Sequence, residues 1–510
     1  MRKLLLLLLT IPFFGIAAAQ TAWDGLQFSQ NFYGGTARFT AMGGAFTALG
    51  GDFASLSVNP AGIGVFRSWD IMITPTVSYN ITDAKYLRET NSDSYTSFGF
   101  DNLGLALDIY SSDALKLNLG IGYNKLNSYL NRTSAYGTNN DNSYADAIAM
   151  ATDGIDVTVL DDDDAFDLTS KWTSVLGWKT WLLDVLGSTT NQYIGATENL
   201  VGTDIYLGGP VKQSYYKEVS GSTNEFVLCF GGNVRDQFYF GMNVGIQNIW
   251  REYYQSITEQ ATDSRDFDTG FNRFIHESEI ATRGTGCNIK LGILWRPVEG
   301  LRWGAYFHSP TWIYLTDKSR ERMHTWFDAT SSQSAKDYSA ESDENSFDYR
   351  VTTPFKWGTG LAYVISNVAI LSVEYEGLNY GLTRMSGYNG RRYTKLSYIG
   401  DDPKYQFEDD YTKDRFGVVT NIRAGVEVRL SPVSLRAGYA FYGSPIKNNS
   451  NFATNTISFG LGYDGGSFYL DGAYACALSG DRNHTLYSDS PEMITNSYFG
   501  KIALTLGFRF

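Results

Sequence analysis

Apolar and polar side chains alternate along the last stretch of the chain, residues 497–510. One face carries Tyr498, Gly500, Ile502, Leu504, Leu506, Phe508 and Phe510, and the other carries Lys501, Ala503, Thr505, Gly507 and Arg509. A period of two residues indicates a β-strand with one apolar face. Residues 115–124 and 455–464 alternate in the same way. The pattern therefore predicts a protein built largely from amphipathic strands.

Fourteen such strands are predicted along the chain. They span 69–80, 97–110, 115–128, 224–234, 237–251, 280–296, 301–315, 346–364, 368–381, 415–430, 433–443, 454–464, 467–478 and 498–510. Every second connection is a tight turn, at 111–113, 235–236, 297–300, 366–367, 431–432 and 464–466. The other connections are mostly long and polar, and the largest covers residues 129–223.

This arrangement is typical of a closed transmembrane barrel, which has short turns at one end, long loops at the other and an even number of strands. Amphipathic strands also occur in soluble double sheets, but lipid tolerates no unpaired strand edge, so the regular alternation of connections favours a barrel. We predict an all-β fold, a 14-stranded antiparallel transmembrane β-barrel over residues 69–510. We expect the barrel-assembly machinery to bind its C-terminal strand, which ends in Phe510.

Residues 1–19 have the pattern of a cleaved secretory signal peptide. Arg2 and Lys3 precede an apolar run, and Ala17, Ala18 and Ala19 precede Gln20. Basic, apolar and small-residue regions in this order direct export. We expect the mature chain to begin near Gln20 and to lie in the bacterial outer membrane, in contact with its lipid and lipopolysaccharide. Aromatic residues make up 15% of the chain, which suits the aromatic girdles of such barrels.

Residues 20–68 precede the first predicted strand and show no strand period. This segment is rich in small and apolar residues and contains the glycine pairs Gly34-Gly35, Gly43-Gly44 and Gly50-Gly51, which permit tight backbone reversals. It is too apolar for a solvated tail. We predict a compact plug inside the barrel lumen.

Several segments resemble the FadL-type family of outer-membrane transport proteins. They are GTARFTAMGGAFTALGGDFASLSVNPAG (35–62), TPFKWGTGLAYVISNVAILSVEYEGLNYG (353–381), SLRAGYAFYGSPI (434–446) and ISFGLGYDGGSFYLDGAYA (457–475). The resemblance implies a fourteen-stranded barrel whose N-terminal hatch plugs the lumen. It places the hatch motif on Asn59, Pro60, Ala61 and Gly62. It also implies passive transport of long-chain fatty acids or other hydrophobic compounds.

Cationic residues on the predicted inner face of the strands are candidates for binding a ligand carboxylate. They are Lys116, Lys290, Lys356, Arg423, Arg436 and Lys501. In an apolar pocket, one or two of them would hold the carboxylate by charge-assisted hydrogen bonds. Alternatively, they pair with the predicted inward carboxylates Asp108, Glu374, Glu376, Glu427 and Asp471, because buried charges are usually paired.

The longest loop contains an apolar stretch at residues 165–189, with Trp172, Trp178, Leu182 and Leu183 on one face of a possible helix. An exposed apolar helix at the outer mouth would be a capture site for a ligand. The alternative is a helix that folds over its own loop as a cap. In the same loop, Asp161–Asp164 would either hold Ca²⁺ or stay solvated.

No catalytic constellation, metal cluster or cofactor motif is found in the sequence, so we expect neither catalytic residues nor a cofactor. Cys229, Cys287 and Cys476 are too scattered for a disulfide framework, and a net charge of −13 argues against a nucleic-acid partner. The leading prediction is a passive transporter of hydrophobic compounds. The alternatives are a surface receptor for haem or another apolar ligand, and a general porin. Glycine and asparagine at 120–131 predict a kink in strand 3 that opens a sideways exit.

Overall fold

The computed structural model describes residues 21–387 and 405–510, except 170, 332 and 367. The predicted signal peptide, 1–19, lies outside these residues. Within the described ranges, no helix is both long and apolar enough to cross a membrane.

Fourteen strands form the wall, as the alternation predicts. Nine are continuous: β1 (Asp70–Tyr86), β2 (Glu89–Ser111), β4 (Val211–Val234), β5 (Phe238–Ala261), β6 (Phe271–Trp295), β10 (Val418–Leu430), β11 (Val433–Tyr442), β12 (Thr454–Asp464) and β14 (Glu492–Arg509). Five are interrupted: β3 (Leu115–Ser128, Asn131–Asn139), β7 (Leu301–His308, Trp312–Phe327), β8 (Lys336–Glu341, Asn345–Thr352, Lys356–Ile365), β9 (Ala369–Asn379, Arg384–Gly387) and β13 (Phe468–Ser479, Arg482–Thr485).

The wall is closed, because β1 pairs antiparallel with β14 from Asp70↔Arg509 to Tyr86↔Met493. All the other neighbouring strands also pair antiparallel. The predicted tight turns join strand pairs at one end of the barrel. Because the barrel is closed, no strand edge exposes unpaired backbone groups to lipid. A barrel that spans a membrane must meet this condition.

Several strands extend further from the tight turns than the sequence pattern predicts. β4 begins at Val211 rather than 224, and β6 begins at Phe271 rather than 280. In these extensions the outward face becomes polar, for example at Lys212 and Glu279, so the alternation of apolar and polar residues disappears although the strand continues. The long connection between β3 and β4 is therefore shorter than predicted and covers residues 140–210.

The outer face of the wall carries a belt of exposed apolar side chains near the tight-turn end. It includes Ile71, Phe230, Met242, Leu291, Leu361, Val373, Leu435, Phe459, Leu470, Leu504 and Phe508. On β14, the inward neighbours Ala503 and Thr505 are almost completely buried. Apolar-out and polar-in alternation around a closed barrel is the structure of an outer-membrane β-barrel.

Residues 21–66, here called the lumen segment, lie inside the wall. The segment contains helices α1 (Ala22–Ser29) and α2 (Ala37–Ala41) and two 3₁₀ turns, Phe53–Ser57 and Pro60–Val65. It bonds to strands around the circumference: Ala37 N donates to Thr505 Oγ1, Arg302 donates to Leu49 O, and Ser458 donates to Ala41 O. At Gly43, with φ +63°, a Cβ would lie 2.9 Å from the Tyr439 backbone, so only glycine fits there.

Residues 140–210 form a cap over the long-loop end of the barrel. It contains helices α3 (Tyr144–Thr152), α4 (Val157–Leu160), α5 (Ala165–Leu168) and α6 (Trp172–Lys179), and the hairpins Leu183–Val185/Tyr193–Gly195 and Glu198–Val201/Asp204–Leu207. Its core is continuous with apolar side chains from the strand ends, such as Tyr86, Ile257 and Phe274. The last helix of the chain, α7 (Gln406–Arg415), lies in another loop.

Candidate functional site

A cavity of about 770 Å³ lies between the lumen segment, β3 and the last strands of the barrel. Its apolar lining includes Trp23, Leu26, Leu130, Val219 and Phe452. Trp23 packs against Phe452 with ring centroids 5.9 Å apart, which fixes one wall. A cavity of this size and lining suits a small ligand that is mostly apolar.

Three cations that line this cavity lack a carboxylate partner among the described residues: Lys217, Arg415 and Arg482. Lys217 and Arg482 lie close enough to interact electrostatically with each other and with His484, whose Nε2 lies 2.9 Å from Thr495 Oγ1. Clustered positive charges without counter-ions repel one another, so an anion that enters the cavity is stabilised there. These three residues cannot be identified from the sequence alone, because loops and broken strands hide their register.

The predicted lumen cations are mostly engaged with carboxylates. Arg423 binds both Glu374 and Glu376, and Arg436 binds Glu427 and Asp471 at 2.8 and 2.5 Å. Lys290 pairs with Glu225 at 2.5 Å, Lys501 pairs with Asp101 at 2.7 Å, and Lys116 lies 3.7 Å from Asp236 near the tight turns. Arg423 and Arg436 therefore pair with carboxylates that the second alternative named, whereas the three lysines pair with carboxylates that it did not name. Asp108 forms no ion pair with a described cation, and its buried Oδ1 has no hydrogen-bond partner among the described residues.

Lys356 is the exception among the predicted lumen cations, since it forms no ion pair with a described carboxylate. Its Nζ lies 6.0 Å from the ring centroid of Tyr33 in the lumen segment. With the Asn31 amide oriented so that its oxygen faces the ammonium group, the two atoms lie 2.7 Å apart. Lys356 does not line the cavity, so it holds the lumen segment rather than facing the apolar space.

The motif Asn59, Pro60, Ala61 and Gly62 lies deep in the lumen against β6. Asn59 is buried; its Oδ1 accepts a hydrogen bond from Ala61 N, and its Nδ2 donates to Thr47 O at 2.7 Å and to Ile293 O at 3.1 Å. Pro60 fits the first position of a 3₁₀ turn because it needs no donor there. The motif thus ties two parts of the lumen segment to the wall.

Strand pairing between β2 and β3 is incomplete. It runs from Ser111↔Lys116 to Asn102↔Asn124 and then stops, and the described residues show no strand pairing between the rest of β2 and the second piece of β3. β3 itself is interrupted at Tyr129 and Leu130. We call the facing edges 96–101 of β2 and 125–131 of β3 the seam. The strand discontinuity predicted at 120–131 is present there.

The lumen segment covers the inner side of the seam. Phe32 N donates to Leu126 O at 3.0 Å, Gly34 N donates to Lys125 O at 2.8 Å, and Asn127 Nδ2 donates to Gln30 O at 3.1 Å. The cavity extends along the same edge, because residues 127–131 of β3 line it. Phe98 and Phe100 stand exposed on the outer side, with ring centroids 5.7 Å apart. The seam therefore separates the cavity from the lipid-facing surface.

The predicted capture residues lie in the cap. Leu182 and Leu183 are buried in its core, Trp178 packs partly buried against that core, and Trp172 is buried against Phe166. The expected exposed apolar face is not formed; the helix spans only Trp172–Lys179 and folds over its own loop, the alternative given above. Asp161–Asp164 follow α4, where Asp161 Oδ1 accepts from Trp178 Nε1.

The cap contains two neighbouring carboxyls, and we predict that its stability falls as pH rises. Burial and the nearby Asp146 raise the pKa of Glu198 to about 7, and burial also raises the pKa of Asp146. Between about pH 4.5 and 7 the folded cap keeps protons that the unfolded cap has lost, so a rising pH favours unfolding. We expect proteinase K to cleave the cap faster at pH 8 than at pH 5.

Glu198→Gln is the control for the effect of pH on the protease itself. We expect it to reduce the ratio of the two cleavage rates, because the amide does not titrate, while Asp146 keeps a residual dependence. An unchanged ratio in this variant would show that Glu198 does not carry the effect.

No protein-family model and no curated protein matches the sequence. Solved structures do match over almost the whole chain. A Pseudomonas aeruginosa FadL homologue is 11% identical, with a TM-score of 0.51, over 94% of this chain and 100% of its own. The Pseudomonas putida toluene transporter TodX is 11% identical (TM-score 0.49; 94% and 100% covered), and the Ralstonia pickettii toluene transporter TbuX is 12% identical (TM-score 0.47; 94% and 98% covered).

The similarity to the Pseudomonas aeruginosa protein confirms the predicted FadL-type resemblance for the fold. At 11% identity, it shows the barrel architecture and leaves the ligand to be argued from this chain's own cavity.

Proposed function

We propose that this protein is a passive outer-membrane transporter of hydrophobic compounds that carry a carboxylate, such as long-chain fatty acids. The observation that carries this proposal is the cavity of about 770 Å³, which adjoins the seam. It combines an apolar lining with Lys217 and Arg482, which have no carboxylate partner in the described part of the chain. An acyl chain fits the apolar part, and its carboxylate forms charge-assisted hydrogen bonds with the cations. Transport down a gradient needs no chemistry, so the protein acts without catalysis or a cofactor.

In this proposal the ligand enters beside the cap, occupies the cavity and leaves sideways through the seam into the membrane. The lumen segment is the hatch: it closes the path straight through the barrel and covers the seam until its bonds to Lys125 and Leu126 break. Residues 96–101 of β2, which do not pair with β3, span about 20 Å, and this length is enough for an extended acyl chain to pass lengthwise. The aromatic pair Phe98 and Phe100 forms the lipid-side lip.

The two alternatives differ in what the lumen must provide. A general porin needs an open aqueous lumen, whereas residues 21–66 fill this one with buried side chains. A haem receptor needs an iron ligand that faces a cavity. Among the described residues, His484 lines the cavity and is therefore the residue to replace if haem binds.

Oleate uptake by cells tests the proposal. Host cells that lack their own fatty-acid uptake protein are transformed with this chain, and entry of radiolabelled oleate and haemin is measured. We expect saturable oleate uptake above that of the empty vector, and low steady ion current through the purified protein in planar bilayers. Oleate uptake equal to that of the vector would contradict the transporter. Large stable channels would support the porin, and haemin uptake that is lost in His484→Ala would support the receptor.

A further inference from the structure

The inner end of the seam is marked by one buried carboxylate. Asp101 of β2 has no partner residue on β1, because the register shifts by one between Thr74↔Asn102 and Pro75↔Phe100. Pro75 lacks a backbone donor, and proline in a sheet is found at such bulges. The bulge turns Asp101 into the lumen, where its side chain is completely buried. It directly precedes Asn102, the residue of β2 at which pairing with β3 ends.

Asp101 forms ion pairs with two other strands. Its Oδ1 lies 2.7 Å from Lys125 Nζ of β3, and its Oδ2 lies 2.7 Å from Lys501 Nζ of β14. These pairs replace strand pairing at the point where the β2–β3 ladder ends. The lumen segment fits against them: at Gly34 a Cβ would lie 2.8 Å from Asp101 Oδ2 and 3.1 Å from Lys125 O. The carboxylate thus joins β2, β3 and β14 beside the hatch.

The far end of the seam is held differently. Arg132 Nη1 of β3 donates to Ser94 O of β2 at 3.2 Å, and its guanidinium lies 4.4 Å from the Tyr95 ring centroid. Asn91 Nδ2 donates to Ser134 Oγ at 2.6 Å. These contacts are partly exposed, whereas Asp101 is buried. At the Asp101 end, its two partners Lys125 and Lys501 line the cavity.

We propose that Asp101 is a clasp that holds the seam narrow, and that an anionic ligand in the cavity releases it. Lys125 and Lys501 line the same cavity as Lys217 and Arg482, so a ligand carboxylate that moves from the latter pair towards the seam competes with Asp101 for the two ammonium groups. When one lysine turns to the ligand, β2 loses its link to β3 or β14, and the edges of the seam separate. The clasp itself is inferred from the ion pairs alone, whereas its release by an anionic ligand rests on the proposed function.

Spin labels on the β2 edge of the seam and on the second piece of β3 beyond it test the clasp. In a background with Cys229, Cys287 and Cys476 replaced by alanine, Thr96→Cys and Tyr136→Cys carry nitroxides, and dipolar broadening is recorded in lipid nanodiscs. Without ligand, we expect Asp101→Asn to lengthen the distance between the labels by about one strand spacing, ~5 Å. Asp108→Asn, on the same strand where pairing is intact, should leave it unchanged. If Asp101→Asn does not fold, Lys501→Met removes the same link from β14.

The response to oleate distinguishes a clasp that the ligand releases from a purely structural contact. Bound oleate, measured in the same samples, should lengthen the wild-type distance and leave Asp101→Asn unchanged, because its clasp is already open. Equal distances in wild type and both clasp variants would overturn the clasp. Oleate that binds without moving the labels would overturn its release by ligand and leave the proposed function standing. If oleate does not bind to the wild type, the proposed function and the release both fail, and the ligand-free comparison still decides the clasp.

Discussion

Replacing Arg423 by methionine lowers the stability of the barrel by about 3–5 kcal/mol, the usual cost of leaving a buried charge without its partner. Arg423 is buried and serves both Glu374 and Glu376, so its loss leaves two carboxylates in the packed lumen with no guanidinium. Its guanidinium also lies 5.1 Å from the ring centroid of Tyr33, so the lumen segment loses a support. The measurement is the urea midpoint of unfolding in detergent, followed by tryptophan fluorescence.

Two variants control this prediction. Arg265→Met removes an exposed arginine paired with Asp263, and we expect the midpoint to stay at the wild-type value. The triple variant Arg423→Met, Glu374→Gln, Glu376→Gln removes the stranded charges together with the arginine. It should recover most of the loss, since the cost comes from unpaired charge rather than from lost packing. A triple variant as unstable as Arg423→Met would contradict this account.

Replacing Lys217 and Arg482 together by methionine weakens oleate binding by about 10- to 100-fold. A hydrogen bond to a charged group contributes about 1.5–3 kcal/mol, and each 1.4 kcal/mol changes affinity tenfold. Neither residue has a carboxylate partner in the described structure. Their replacement therefore leaves no buried carboxylate without a counter-charge, and we expect the variant to fold. Binding is measured by quenching of tryptophan fluorescence, because Trp23 lines the same cavity.

The same variant should bind oleyl alcohol as the wild type does, because the apolar lining is unchanged and the alcohol carries no charge. Lys212→Met is the matched control, since Lys212 lies on the same strand but faces outward. An equal loss of oleate and oleyl alcohol would show that the substitutions distort the cavity. Unchanged oleate binding would show that the carboxylate lies elsewhere.

The sequence predicted the wall well because the apolar belt imposes a period of two wherever lipid touches a strand. Where the strands rise above that belt, as in Val211–Val219 of β4, both faces are polar or buried, and the pattern gives no boundary. The boundaries of interrupted strands are even harder to predict from the sequence. The second piece of β3, Asn131–Asn139, lies beyond the kink, in a stretch that the sequence predicts as a loop.

The binding cations could not be selected from register alone. Strand register shows which charged side chains point into the lumen. Whether each of them forms an ion pair depends on residues far apart in the chain, such as Arg423 on β10 and Glu374 on β9. Arg482 follows a break in β13, and Lys217 lies in the polar extension of β4, so neither belonged to a recognised strand. The burial of the predicted capture helix could not be foreseen for a similar reason. The sequence of an apolar face does not show whether that face is exposed to solvent or packs against its own loop.

Native mass spectrometry with lipid extraction on the purified barrel decides whether the cavity holds an apolar ligand that carries a carboxylate. We expect a fatty acid or a similar carboxylate-bearing apolar molecule to copurify with the wild type and to be depleted in the double variant Lys217→Met, Arg482→Met. Lys212→Met should retain it. Wild-type protein that carries no apolar ligand, and that gains none when incubated with oleate before extraction, would contradict the account.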